Sequence, residues 1–243
     1  MATSGAVTAA SPVRDKIIYG ALRMVGAYHT ADIPRPEQVS DACETLDMML
    51  KSWQTDGLLW LKQFIYVALA ASKGSYVIGA GSTDTVTTDA AGTVPYLQRP
   101  TRIYAPTRRE ISTGYEVPLR QISRSEWSEI VNKTSSGPPV QVYYDPQISS
   151  GKLYVWPVPT GATYQVACSV DRIIEDAGTD ENTLDVPPEW IETVKFNLAL
   201  RIGLEYGLPS GDMDRLERNA TAMAAKMFSS NTDNSPVFFA PGR

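Results

Sequence analysis

The residue types that most often perform chemistry are sparse in this chain and are not spaced for catalysis. His29 is the only histidine, and no nucleophile motif such as G-x-S-x-G accompanies it. Acidic residues are plentiful, but none has the spacing of a metal site and nothing marks a glycosidase pair. Cys43 and Cys168 lie far apart without C-x-x-C spacing, which favours free thiols over a disulfide or a zinc site. We therefore predict no enzyme activity, no cofactor and no metal.

Charged residues are distributed unevenly along the sequence, although the net charge is only −5. The members of a basic segment are Arg99, Arg102, Arg108, Arg109, Arg120 and Arg124. The members of an acidic segment are Asp171, Glu175, Asp176, Asp180 and Glu181. Three interpretations stay open: solvated strand and loop faces, arginines that contact DNA phosphates, or the two segments pairing between neighbouring subunits.

Aromatic residues form a third group with binding potential. They are Trp127, Tyr143, Tyr144, Tyr154 and Trp156. Such residues build either a carbohydrate-binding platform or the core of a sheet, and strand alternation places Tyr154 and Trp156 on one face. We favour the core.

The elements that position these groups begin with a helix from Pro36. Its apolar residues recur at steps of three and four, and Gly57 suits the left-handed residue that follows a helix. A preceding helix ends at Gly26, and its apolar face consists of Ile17, Ile18, Ala21, Leu22 and Val25. The pattern predicts an antiparallel pair of helices that buries both faces.

The middle of the chain is typical of an antiparallel β domain. The predicted strands are 64–69, 76–78, 102–109, 115–122, 140–144, 152–156 and 164–170. A short helix with a serine cap follows Ser123. Residues 72–93 are rich in Gly, Ser, Thr, Ala and Asp, which predicts a long hairpin or a mobile loop rather than a core element.

Two more helices are predicted near the carboxyl end. The third starts between Asp185 and Glu189 and is apolar on two sides, so both sides need a cover. The fourth runs from about Asp212 to Phe228. The polar segment that follows contains Pro236, Phe238, Phe239 and Pro241, which indicates an extended arm. Its aromatic rings either fold back on their own domain or are buried on a partner, and we favour the partner.

These elements give an α+β fold in which a helical domain of about four helices is split by an inserted antiparallel β domain. We predict a flexible arm at 1–10, helical halves at 11–60 and 181–229, the β domain at 61–180 and the arm at 230–243. No apolar run is long enough to span a membrane, and the first residues lack the pattern of a signal peptide.

An ordered set of motifs resembles a known family. It starts with Leu46, Met49 and Trp53 on one helix face, followed by Asp56-Gly57-Leu58 and Trp60. It continues with the segments 153–159 (LYVWPVP), 187–190 (PPEW), 197–199 (NLA) and 205–207 (EYG). The set is similar to the head-to-tail adaptor proteins of short-tailed bacteriophages, which complete the filled head and stabilise its packaged DNA.

The resemblance implies a structural protein of the virion, assembled in the host cytoplasm and located at the head–tail junction. Its copies would form a ring, dodecameric like the portal protein that it binds, with the arm of Pro236 to Pro241 on the portal. Double-stranded DNA would pass through without sequence-specific contacts, and a tail nozzle or tail tube protein would dock below. An alternative is a tail-associated protein that binds carbohydrate or acts on the cell wall.

Overall fold

The computed structural model describes residues 14–29, 32–176 and 184–231. They form two compact units, a helical unit drawn from 1–59 and 174–243 and a β unit of residues 60–173. The predicted α+β class, a β domain inserted into a helical one, is confirmed. The flexible arm predicted at 1–10 and the carboxyl arm beyond Asn231 lie outside the described residues.

Five α-helices occur in the described part of the chain. They are α1 (Arg14–Met24), α2 (Pro36–Gln54), α3 (Arg124–Glu129), α4 (Ile191–Gly203) and α5 (Ser210–Ser230), of which α3 belongs to the β unit. Gly26 and Gly57 follow α1 and α2 with φ of 70° and 74°, as their positions after a helix predict. Leu22 of α1 and Leu46 of α2 are fully buried, so the two predicted helix faces do form a core.

The third predicted helix begins later than its proline-rich start indicated. Pro188–Trp190 forms a 3₁₀ turn, and α4 starts at Ile191. One of its two apolar sides is buried through Val194, Leu198 and Ile202. The opposite apolar side is covered only in part, because Leu204 at its end is 76 % exposed.

Three aromatic rings hold the carboxyl end of α5 in the helical unit. Trp53, Trp190 and Phe228 lie with their ring centroids 5.3 to 6.0 Å apart. Asn231 extends this anchor, because its Oδ1 accepts a hydrogen bond from the Leu59 N–H (2.7 Å). The described chain is therefore fixed in the helical unit up to Asn231.

The β unit contains two sheets in the described residues. The strands are β1 (Lys62–Ala68), β2 (Ser75–Ile78), β3 (Val86–Thr87), β4 (Arg102–Glu110), β5 (Glu116–Pro118), β6 (Arg120–Gln121), β7 (Gln141–Pro146), β8 (Gly151–Trp156) and β9 (Tyr164–Asp171). One sheet has the order β3-β1-β9-β4-β5, and the other has the order β2-β8-β7-β6. Ile65, Val166 and Leu153 are fully buried members of the core that the two sheets share.

The segment 72–93 departs from its prediction, because it contributes to the core. Tyr76, Ile78 and Val86 are buried there. The segment is held by Asp84, whose carboxylate pairs with Lys73 and accepts the Val77 N–H (2.8 Å). Its many small residues form the turns between short strands, which composition alone does not distinguish from a mobile loop.

The strand predicted at 115–122 is two strands in different sheets. β5 pairs with β4, whereas β6 pairs in parallel with β7. Leu119 lies between them and is buried, so the chain changes sheet at an apolar anchor. Helix α3 then begins as predicted, with Ser123 as its cap and Glu126 completing a capping box.

Candidate functional site

Strand alternation separates Arg108 and Arg109, which are adjacent in the basic segment. Arg108 lies opposite Val166, a core residue, and its Nη1 donates to the Pro139 carbonyl (2.9 Å). Its guanidinium also lies 5.1 Å from the Tyr164 ring centroid. Arg109 lies on the other face of the sheet and pairs with Glu116 across β4 and β5 (3.0 Å). Both arginines thus make contacts inside the β unit.

The exposed members of the basic segment lie apart from one another. Arg120 and Arg124 have mostly exposed side chains, and they pair with Glu126 (2.7 Å) and Asp145 (3.4 Å). Exposed pairs of this kind add little to stability, so both cations stay accessible to a partner.

Two further arginines complete the basic segment. Arg99 donates from Nη1 to the Gln147 carbonyl (3.0 Å), which ties it to the turn between β7 and β8. Arg102 is exposed at the start of β4 and lies opposite Asp171 of β9. The structure therefore distributes the six arginines over several faces and does not form one continuous basic patch.

Asp171 is buried on the outer face of the five-stranded sheet and does not form part of an exposed acidic surface. It is only 4 % exposed, and its Oδ2 accepts the Tyr104 hydroxyl (2.6 Å). The pKa of Tyr104 is raised, first by burial and then by this bond. Strand alternation turns its side chain toward Tyr104, so Asp171 offers little acidic surface to a neighbouring subunit.

The remaining described members of the acidic segment are on the surface. Glu175 and Asp176 are exposed, and Asp176 forms an ion pair with Lys51 of α2 (2.7 Å). Asp180 and Glu181 lie outside the described residues, as do the arm residues Pro236, Phe238, Phe239 and Pro241.

The aromatic residues of the β unit divide between two environments. Tyr144 is in the shared core, donates to the Pro100 carbonyl and has its pKa raised by burial. On the other face, the rings of Trp127, Tyr143 and Tyr154 pack against one another with centroids 5.2 to 6.2 Å apart. Tyr143 is buried and the other two are half-buried, so these contacts attach α3 to the sheet.

Trp156 is held at the end of β8. Its indole N–H donates to the Asn132 carbonyl (2.8 Å). It alternates with the buried Val155 and lies on the same side of the strand as Tyr154, as predicted. The bond directs its polar edge at the chain rather than at a ligand.

The helical unit has an apolar groove that the sequence analysis did not identify. It holds about 490 Å³ between the end of α1, α4 and the start of α5. Its apolar lining includes Met24, Val25, Phe196, Leu208 and Leu216. Phe196 belongs to the second apolar side of α4. The prediction of a helix that is apolar on two sides was therefore the sequence feature that could have indicated this groove.

Two other kinds of site are absent from the described residues. No group of three or more His, Cys, Asp or Glu side chains there could hold a metal ion. None of the helices described is long and apolar enough to cross a bilayer.

The chain matches one known protein family over most of its length. No curated protein matches it significantly. The profile of one family, described as SU10 adaptor protein, matches residues 36–235. The match begins with α2, includes the whole β unit and extends beyond α5. The chain belongs to the SU10 adaptor protein family.

Proposed function

We propose that this protein is a structural component of the head–tail junction of a short-tailed bacteriophage. The observation that carries the proposal is the family match, which spans both units at residues 36–235. In this function about twelve copies form a ring below the portal. The ring extends the DNA channel, helps to retain the packaged DNA and offers a docking surface to a tail nozzle or tail tube protein.

The charge of the two units supports a role for the β unit next to DNA. Residues 60–173 carry 11 Lys and Arg against 8 Asp and Glu, a formal charge of +3, which leaves −8 for the rest of the chain. DNA in the channel is a polyanion, so it is attracted to the β unit and repelled by the helical unit. We assign the DNA-facing role to the accessible Arg120 and Arg124.

Pairing between neighbouring subunits is proposed for the exposed charges only. Arg102 stays accessible for it on the basic side, and Glu175 and Asp176 stay accessible on the acidic side. Arg108 and Arg109 are less suited to it, because both are half-buried and already engaged inside the β unit. Because single exposed pairs contribute about 0–1 kcal/mol, assembly needs further contacts.

The free protein is proposed to be mostly monomeric and to form the ring on the portal as a template. Light scattering of the purified protein, alone and after mixing with the portal protein of the same phage, tests this. The expected result is a monomer alone and a single large complex in the mixture. A monomer that ignores the portal but binds cell-wall glycan would establish the carbohydrate-binding alternative, and a stable ring without portal would contradict the template.

A further inference from the structure

The outer face of the five-stranded sheet contains a trough that no part of the described chain fills. Its volume is about 380 Å³. Phe64 and Tyr66 of β1 stand opposite Ser169 and Ala167 of β9, so large side chains border small ones. Thr107 of β4 lies on the far side of Ala167. The depression thus follows from the register of three strands.

The trough exposes an aromatic side chain to water. Phe64 is 66 % exposed, although the alternate residue Ile65 is fully buried in the core. Beside it, the register of β4 shifts between Tyr104 and Thr107. Exposed aromatic surface next to an apolar depression is typical of a contact with another protein.

Positive charge lies at one end of this trough. Lys62 and Arg102 are both exposed and stand on either side of Asp171, which is buried. Lys62 also lies over the Tyr104 ring, 5.1 Å from its centroid. At the other end the Glu116 carboxylate is paired with Arg109. The trough therefore offers an apolar floor with a cationic end.

Helix α2 presents the complementary feature. Met48 is 64 % exposed on the face opposite the helical core. Glu44 and Asp41 precede it by four and seven residues, are exposed, and so lie on the same face of the helix. A methionine side chain is flexible and fills irregular gaps, which suits a shallow depression.

We propose that the trough of one copy receives Met48 of a second copy, with Asp41 and Glu44 of that copy against Lys62 and Arg102. The opposite charges of the two units, +3 and −8, favour this pairing of a β unit with a neighbour's helical unit. The two surfaces differ, so the contact is head-to-tail and can repeat around a ring. The inference rests on the proposed self-assembly and specifies the contact that produces it.

Crosslinking tests the proposed contact directly. In a Cys43→Ser background, the double variant Met48→Cys/Phe64→Cys is assembled on the portal and treated with a short thiol–thiol crosslinker. We expect a ladder of linked oligomers. The matched control is Met48→Cys/Ile148→Cys, because Ile148 is 100 % exposed in the same unit but lies in the β7–β8 turn; it should give no ladder.

Charge exchange provides an independent readout. Glu44→Lys or Lys62→Glu alone should raise the protein concentration needed for assembly about tenfold, and the combined variant should restore it to within about threefold. Rings that form without a ladder, or a combined variant that shows no recovery, would overturn the contact and leave the proposed function intact. Failure of the unmodified protein to assemble on the portal would overturn both.

Discussion

At the scale of single residues, strand alternation decides what each arginine does. Arg108 and Arg109 are neighbours in sequence, yet one lies on the core side of β4 and the other on its outer face. Arg102 has the same charge and is exposed at the end of the strand. A count of arginines in a segment therefore overstates the basic surface, because only Arg102, Arg120 and Arg124 are largely exposed.

Substitution of Arg108 is expected to destabilise the monomer. Arg108→Ala removes the bond to the Pro139 carbonyl and the contact with Tyr164, which together should lower the free energy of unfolding by about 1–2 kcal/mol. Arg102 lies on the same strand but is exposed, so Arg102→Ala is the control. It should change the free energy of unfolding by less than about 0.5 kcal/mol. Urea unfolding measures both; equal losses would show that Arg108 has no special structural role.

The two cysteines are expected to differ in reactivity. Burial raises the pKa of the Cys168 thiol to about 12, so it stays neutral and shielded at pH 8. Cys43 is half-buried, and its pKa is also raised by burial. A chromogenic disulfide reagent should therefore titrate Cys43 slowly and Cys168 only after unfolding in guanidinium. Two thiols that react at one rate in the native protein would contradict this burial.

At the scale of elements, much of the fold could be predicted because periodicity reports burial. The apolar faces of α1 and α2, the capping box of α3 and most strands follow from spacing and turn residues. Pairing between distant strands does not follow, since the register of β1 and β9 is fixed by tertiary packing. The trough beside Phe64 and the burial of Asp171 depend on that register, so sequence spacing could not reveal them.

Asp84 is expected to stabilise the segment 72–93. Its carboxylate accepts the Val77 N–H and pairs with Lys73, so Asp84→Ala leaves a strand N–H without its partner. We expect a loss of about 1–3 kcal/mol in unfolding free energy and faster hydrogen exchange in β2. Thr83→Ala, at the exposed neighbouring position, is the control and should have little effect. Unchanged exchange in β2 would indicate that the turn does not depend on Asp84.

The carboxyl segment is expected to act separately from the helical core. Deletion of 232–243, which starts after the last described residue, should leave the melting temperature unchanged and abolish portal binding. The double variant Phe238→Ala/Phe239→Ala should reproduce most of this binding loss. Asn231→Ala in the full chain removes the bond from Leu59 and should cost about 1 kcal/mol of stability while binding is retained. A truncated protein with a markedly lower melting temperature, or one that binds the portal normally, would contradict an arm that docks on the portal.

At the scale of the whole molecule, a helical unit of charge −8 is interrupted by a β unit of charge +3. Both retain unfilled apolar surface: the groove at Phe196 and the trough at Phe64. Their opposite charges favour contacts between unlike units of neighbouring copies, which salt should weaken. The family match over 36–235 spans both units, so the adaptor function is assigned to the combination of the two.

Electron microscopy of the protein mixed with the portal of the same phage tests the adaptor function most directly. We expect a closed ring of this protein on the narrow end of the portal, coaxial with the DNA channel and containing about twelve copies. Portal particles that carry no added ring at saturating protein, with the chain left as soluble monomers, would contradict it.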